Sequence, residues 1–391
     1  MRSLGDTIGR LAALRARTVG HQKVHAPDRL SDLSSFGSNP GALRARTYAP
    51  ESLPAKAPLV VVLHGCTQTA ADYDHGSGWS RLADRAGFAL LFPEQQRSNN
   101  ANLCFNWFLP GDSGRDSGEA LSIRQMVETL IVIHGIDRKR VFITGLSAGG
   151  AMTSVMLAAY PDLFAGGAII AGLPYGCATN VPEAFDRMRG HGGPSDSALQ
   201  SLVRGASNHD GPWPTISIWH GTADHTVAPS NMAAILAQWR GVHEVSQTPT
   251  YAAVVDGYSR QVWRNARGRE IIEAYSITGM GHGAPLKTTG ADGYGESGPF
   301  MLDVGISSTF RIAGFWGLAA ASEARVASGE RQGPAVFPSP GLSGDGLSEK
   351  SRRAAPNDRA PDARAPIPSA PPVSGVRKVI EDALRAAGLM Q

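Results

Sequence analysis

Short apolar runs alternate along the middle of the chain with segments of helical periodicity. The apolar runs lie at residues 58–63, 88–93, 141–144 and 167–171, and a helical repeat of apolar residues covers 123–130. Runs of about four to eight β-branched and other apolar residues are typical of buried strands. Strands separated by helices predict a parallel sheet with helices on both faces. We therefore expect the α/β fold class, with a mostly parallel central sheet.

The composition divides the 391 residues into four parts. One α/β domain is expected over residues 42–320, preceded by an N-terminal helical extension over 1–41. Residues 321–373 are rich in proline and alanine, which predicts a disordered linker. Residues 374–391 predict a short amphipathic helix. A helix of that length is not stable alone, so we expect it to dock on its own domain or on a partner.

The candidate nucleophile is Ser147, in a Gly-x-Ser-x-Gly motif between an apolar strand run and an apolar helical run. A sharp turn from strand to helix needs small residues on either side of the serine, here Gly145 and Gly149. Such a turn exposes the hydroxyl above the sheet, where the helix N-terminus favours a developing oxyanion. The motif also fits a glycine-rich turn with a helix-capping serine, but its strand–helix context favours the nucleophile.

The partners of a serine nucleophile follow in the order acid, then histidine. Asp224 and His282 each lie in a loop directly after a predicted strand. Loops at the carboxyl ends of parallel strands converge on one edge of the sheet. A serine hydroxyl needs a base to take its proton, which His282 would supply, and Asp224 would orient the imidazole.

Other interpretations of the acid and base residues stay open. A single loop aspartate is commonly a turn or cap residue, and a histidine between glycines is commonly solvated. His220 and His225 compete with His282 for the role of base, but both lie beside Asp224 on the same loop. We expect His220 to end its strand in a structural role.

The oxyanion-binding groups are predicted in the loop after the first apolar run and directly after the nucleophile. In this arrangement one backbone N–H comes from each place, here from Cys66 and Ala148. Each donor is worth roughly 3 kcal/mol of the reaction barrier. Gly65 would permit close backbone approach, and His64 is expected to be a structural loop residue.

Charge and hydropathy exclude several function classes. The formal net charge is +3 and the basic residues are spread out, so no nucleic-acid partner is expected. The sequence contains no run of about 18 apolar residues, so no transmembrane segment is expected. Residues 1–17 carry charges throughout and do not resemble a secretory signal.

The three cysteines are Cys66, Cys104 and Cys177, and none has metal-ligand spacing. We expect no metal and no organic cofactor, because a serine, histidine and aspartate with an oxyanion hole suffice for acyl transfer to water. One local disulfide between Cys66 and Cys104 and a set of three buried thiols are both compatible with the sequence.

Six separated segments together resemble the polyhydroxybutyrate (PHB) depolymerase-like esterases. They lie at residues 63–68, 102–108, 145–152, 171–178, 220–224 and 279–282. The resemblance implies an α/β-hydrolase fold, a catalytic triad of Ser147, Asp224 and His282, and an oxyanion donor at Cys66. It implies hydrolysis of short-chain poly(3-hydroxyalkanoates), their oligomers or related small esters. It also implies an extracellular enzyme, with the cytoplasm as the alternative because no signal peptide is visible.

Two alternatives accompany that function. Related esterases act on feruloyl or acetyl groups, so a feruloyl- or acetyl-type or general carboxylesterase is the alternative enzyme. A hydrolase-fold binding protein is the alternative that is not an enzyme, although a binding module has no reason to keep all three residues.

Five aromatic residues near the predicted loops are candidates for a substrate groove, with ordinary core packing as the alternative. They are Trp79, Phe105, Trp107, Tyr175 and Trp213. Asp116 and Glu119 lie before a predicted helix, where we expect them to cap its N-terminus.

Overall fold

The computed structural model describes residues 28–319. The helix predicted near the N-terminus, the linker at 321–373 and the helix at 374–391 lie outside the described residues, so these domain boundaries stay predictions. The described end of the expected N-terminal extension forms a short edge strand, Ser31–Asp32, which pairs with the strand Arg44–Tyr48. Among the described helices, none is long and apolar enough to cross a membrane.

Ten strands form one sheet in the order β1-β2-β4-β3-β5-β6-β7-β10-β9-β8. The six strands from β4 to β10 run parallel, and antiparallel strands extend the sheet at both edges. A second sheet pairs β11 with β12 in parallel. The strands are β1 (Ser31–Asp32), β2 (Arg44–Tyr48), β3 (Leu59–Leu63), β4 (Ala89–Glu94), β5 (Val141–Leu146), β6 (Gly166–Ile170), β7 (Thr215–Gly221), β8 (Tyr251–Val255), β9 (Tyr258–Arg264), β10 (Glu270–Ile277), β11 (Ala284–Leu286) and β12 (Met301–Asp303).

Helices connect the parallel strands, as strands that run in the same direction require. The described helices are α1 (Ala70–Ser77), α2 (Trp79–Ala86), α3 (Pro110–Ser113), α4 (Gly118–His134), α5 (Ala148–Ala159), α6 (Val181–Met188), α7 (Asp196–Gly205), α8 (Ser230–His243) and α9 (Ser308–Phe315). Helix α5 contacts β3, β5 and β6, at the centre of the sheet. The nucleophile motif, which joins β5 to α5, therefore lies at the centre of the sheet.

The central strands explain why the apolar runs were continuous in the sequence. Every residue of β3 and of β5 is buried, so both faces of these strands are covered. Strands of that kind lack the alternation of apolar and polar residues seen in half-exposed sheets. The predicted α/β class with a mostly parallel sheet is confirmed.

A disulfide joins Cys66, in the loop after β3, to Cys104 in the loop between β4 and α3. This decides between the two possibilities that the sequence left open. The third cysteine, Cys177, is a buried thiol. The bridge fastens the loop that carries one predicted oxyanion donor to a second loop.

Candidate active site

Ser147 occupies the turn between β5 and α5 in a backbone conformation that side chains rarely adopt. Its φ is 59° and its ψ is −120°, and a serine in this region is strained. The backbone N–H of Ser147 donates to the carbonyl of Ile170 on β6 at 2.9 Å. The neighbouring strand thus holds the serine at the top of the sheet.

The two glycines of the motif are required by close backbone contacts. A Cβ at Gly145 would lie 2.4 Å from the carbonyl carbon and oxygen of Gly149. A Cβ at Gly149 would lie 2.5 Å from the carbonyl oxygens of Leu63 and His64. Any larger residue at either position would push the first turn of α5 away from the end of β3.

Ser147, His282 and Asp224 form a continuous chain of hydrogen bonds. Nε2 of His282 lies 2.9 Å from Oγ of Ser147. Nδ1 of His282 lies 2.7 Å from Oδ2 of Asp224. The other carboxylate oxygen, Oδ1, accepts the backbone N–H groups of Thr226 and Val227, both at 2.9 Å. The structure therefore brings together the three side chains predicted from sequence.

Asp224 is only 2% exposed, yet its surroundings favour the ionised carboxylate. Burial alone would raise the pKa of Asp224, but hydrogen bonds from His220 and His282 and from the Val227 backbone hold it well below its usual range. A carboxylate only accepts hydrogen bonds, so Nδ1 of His282 carries the proton. Nε2 is then free to accept the proton of the Ser147 hydroxyl.

The two competing histidines have other positions. Nε2 of His220 lies 2.9 Å from the carbonyl of Val227 and 3.5 Å from Oδ2 of Asp224. His220 is buried and braces the loop that carries Asp224, whereas His225 is exposed. Neither histidine bonds to Ser147 among the described residues.

The predicted oxyanion donors lie on two backbone segments that touch. Gly149, in the first turn of α5, packs against the carbonyls of Leu63 and His64 that precede Cys66. Ala148 begins α5, and the first N–H groups of a helix have no partner within it. The N–H of Cys66 has no acceptor within residues 28–319. The oxyanion assignment itself stays a prediction.

Glu119 does not cap its helix, as the sequence had suggested, but is buried behind the Cys66 loop. Its Oε1 accepts from Nε2 of Gln95 at 2.6 Å, and its Oε2 accepts from the backbone N–H of Asn106 at 2.9 Å. Gln95 also donates to the carbonyl of Cys104 and, through its backbone N–H, to His64. Glu119 and Gln95 therefore bind both of the loops that the Cys66–Cys104 disulfide joins. Sequence reasoning missed this role.

Asp116, the other predicted cap, is exposed and lies 3.6 Å from Arg124. Ser117 is the residue at the N-cap of α4, although its side chain makes no capping hydrogen bond. The local pattern of acidic residues before a helix was therefore a poor guide here, because one of the two side chains turned inward.

Replacement of Glu119 by glutamine is expected to change the pH dependence of unfolding. Burial raises the pKa of Glu119 to about 8, from an ordinary value of 4.5. A carboxyl of this kind stabilises the fold below the unfolded pKa, and that contribution is lost as pH rises through the folded pKa. As the pH rises from 4.5 to about 8, the unfolding free energy of the wild type should therefore fall by about 1 kcal/mol or more relative to that of Glu119→Gln.

Denaturant unfolding at several pH values from about 5 to 9 measures this difference. Glu128→Gln is the matched control, since Glu128 lies on the same helix but pairs with Arg138 at the surface. Parallel curves for the wild type and Glu119→Gln would contradict the expectation.

The structure corrects three of the five aromatic groove assignments. Trp79 and Phe105 are 1% and 0% exposed, and Trp79 stacks on Trp316 in the core. Trp213 precedes the first residue of β7, whereas Asp224 follows its last. A strand of seven residues separates these ends by roughly 20 Å. Trp213 packs there against Trp239.

Trp107 and Tyr175 stay candidates for substrate contact. Trp107 is 7% exposed and Tyr175 is half-buried. The backbone of Tyr175 is clamped on both sides, because the Gln238 side chain accepts its N–H and donates to its carbonyl, both at 3.0 Å. Within residues 28–319, no group of three His, Cys, Asp or Glu side chains is arranged to hold a metal ion.

The chain is similar in sequence to known depolymerases and esterases. Residues 44–250 match the family model described as esterase PHB depolymerase. Poly(3-hydroxyalkanoate) depolymerase C of Paucimonas lemoignei is 49% identical over 302 residues, which cover 77% of this chain and 72% of the relative. An acetylxylan esterase of Coprinopsis cinerea is 33% identical over 66% of this chain and 70% of its own length.

A solved structure shares the fold. The acetyl xylan esterase from Aspergillus awamori superposes with a TM-score of 0.63 at 25% sequence identity, over 74% of this chain and 99% of the esterase. The expected α/β-hydrolase fold is thereby confirmed.

Proposed function

We propose that this chain, which belongs to the esterase PHB depolymerase family, hydrolyses short-chain poly(3-hydroxyalkanoates) or their oligomers. The chain is an enzyme that hydrolyses ester bonds. The single observation that carries the substrate assignment is the 49% identity to a poly(3-hydroxyalkanoate) depolymerase over 77% of the chain. The acetylxylan esterase is less similar, at 33% identity.

The contacts of Ser147, His282 and Asp224 support a serine mechanism for this activity. Oγ of Ser147 attacks the ester carbonyl carbon while its proton passes to Nε2 of His282. The carbonyl oxygen becomes an oxyanion, which the N–H groups of Cys66 and Ala148 stabilise. The Asp224 carboxylate stabilises the imidazolium throughout.

Collapse of this intermediate breaks the bond to the leaving oxygen and yields the acyl-enzyme. His282 returns its proton to that oxygen, so a neutral alcohol departs. Water then attacks the acyl-enzyme while one of its protons passes to Nε2 of His282. His282 gives that proton to Oγ of Ser147 as the acyl bond breaks, and the carboxylic acid is released. With a polyester, the departing alcohol is the polymer fragment with a new hydroxyl end. The acid is the fragment with a new carboxyl end.

Acetyl or feruloyl ester hydrolysis is the second candidate, favoured by the similarity to acetylxylan esterases. Purified protein should release 3-hydroxybutyrate or its oligomers from amorphous poly(3-hydroxybutyrate), with Ser147→Ala as the blank. Acetylated xylan, feruloyl esters and p-nitrophenyl esters are assayed beside it. Release from the xylan and feruloyl esters alone would overturn the polyester assignment, and cleavage of only the p-nitrophenyl esters would leave a general carboxylesterase.

We also assign the enzyme to an oxidising, extracellular location, because disulfides persist in such compartments. Fractionation of producing cells, with esterase activity and Cys66–Cys104 oxidation followed in medium and lysate, tests this. Activity confined to the lysate with both thiols reduced would favour the cytoplasm.

A further inference from the structure

Phe300 lies against the catalytic histidine, although nothing in the sequence pattern pointed to it. The ring centroids of Phe300 and His282 are 6.0 Å apart with the planes at 75°, an edge-to-face arrangement. The two ring nitrogens of His282 are engaged by Asp224 and Ser147. The His282 side chain is only 6% exposed. Phe300 thus covers part of the imidazole that its hydrogen-bond partners leave open.

The backbone at Phe300 is in a conformation that a bulky residue avoids. Residues 298–301 form a tight turn in which the N–H of Met301 donates to the carbonyl of Gly298 at 3.0 Å. Pro299 follows Gly298, and Phe300 comes next with φ of 60°. These are the features of a type II turn, whose third residue is ordinarily glycine or asparagine. A phenylalanine there costs stability, which is typical of residues kept for function.

Several contacts hold this turn against the His282 loop. The carbonyl of Phe300 accepts the N–H of Ala284 at 2.8 Å. Met301 begins β12 and pairs with Ala284 at the start of β11. A Cβ on Gly283, the residue after His282, would lie 2.7 Å from the Phe300 carbonyl oxygen. The position of the Phe300 ring is therefore set by the same short sheet that follows the histidine.

We propose that Phe300 determines specificity for the alcohol part of the ester, an inference that rests on the proposed function of His282. A base that returns its proton to the leaving oxygen must stand beside that oxygen. The alcohol group therefore departs next to the imidazole, where the half-buried Phe300 ring offers an apolar wall. Such a wall favours secondary alcohols with an apolar branch, the type formed by a 3-hydroxyalkanoate, over methanol.

Phe300→Gly tests this, because it removes the ring and relieves the turn at the same time. Two ester panels are compared: butyrates with methyl, ethyl, sec-butyl and cyclohexyl alcohols, and methyl esters of rising acyl length. We expect kcat/KM for the branched-alcohol esters to fall about tenfold. We expect values for the methyl esters to change less than threefold, and the melting temperature to stay level or rise.

Phe300→Leu should retain most of the selectivity, because it keeps an apolar side chain. Lys56→Gly is the matched control, since it relieves another positive φ, of 56°, at an exposed turn outside the site. An equal loss on every ester would mean that Phe300 only positions His282, and no loss would mean that its ring does not contact the alcohol group; either result overturns the proposal. Alcohol-selective loss in an enzyme inactive on polymer would support Phe300 and overturn only the polyester assignment.

Discussion

Ser147→Ala is expected to lower kcat for ester hydrolysis by about 10⁴- to 10⁶-fold. Oγ of Ser147 is the atom that would attack the carbonyl carbon, and it lies 2.9 Å from Nε2 of His282. Removal of one oxygen leaves a small residue at a position where the backbone is already strained by its φ of 59°. The fold should therefore stay intact, with a melting temperature close to that of the wild type.

The measurement is kcat and KM on p-nitrophenyl butyrate, together with labelling of the protein by an active-site phosphonate. Ser201→Ala is the matched control, because Ser201 is exposed on α7 and bonds only to the carbonyl of Ser197 within the described part of the chain. The control should keep full activity and labelling. If Ser147→Ala retained either one in a folded protein, the nucleophile would have to be sought elsewhere.

Asp224→Asn is expected to lower kcat/KM by about 10⁴-fold, far more than the loss of one charge at the surface. Oδ1 of Asp224 accepts the N–H groups of Thr226 and Val227, so the amide oxygen of the asparagine would take that position. The NH₂ group would then face Nδ1 of His282 and donate to it. The imidazole would carry its proton on Nε2, where it could not accept the proton of Ser147.

The pH–rate profile and the activity together test this tautomer argument. The loop bonds survive in Asp224→Asn, so the melting temperature should fall by only a few degrees while activity is lost. Asp137→Asn is the matched control, because Oδ1 of Asp137 also accepts a backbone N–H but lies in the turn after α4. A loss of less than about tenfold in Asp224→Asn would show that Asp224 does not orient the base.

Much of the candidate site was predictable because the relevant signals are local. The Gly145–Ser147–Gly149 spacing between an apolar strand and an apolar helix can be satisfied by few turns. Asp224 and His282 each follow a strand that the apolar pattern already marked. Parallel strands carry their loops to one edge of the sheet, so convergence of these residues followed from the predicted topology.

The role of Glu119 was not predictable, because it depends on which way one side chain turns. An acidic residue in the first turn of a helix ordinarily stays in water and interacts with the helix dipole. Here Gln95 and Asn106 arrive from a distant part of the chain and supply buried donors. No local pattern around Glu119 records those partners.

The aromatic assignments failed in part for the same reason. Trp79 and Phe105 are close in sequence to loops of the site, but their side chains point into the core. Trp213 lies at the opposite end of the sheet from Asp224, because it precedes β7 and does not follow it. Proximity along the chain says little about which face of the domain a side chain reaches.

The amino-acid sequence by itself determined the α/β class and the sharp turn at Ser147, because apolar periodicity and residue spacing act over a few neighbouring positions. Only the tertiary structure decided the Cys66–Cys104 bridge, the inward turn of Glu119 and the approach of Phe300 to His282. Those features join segments far apart in the chain. Their distances are set by how the sheet, helices and loops pack, which no local pattern contains.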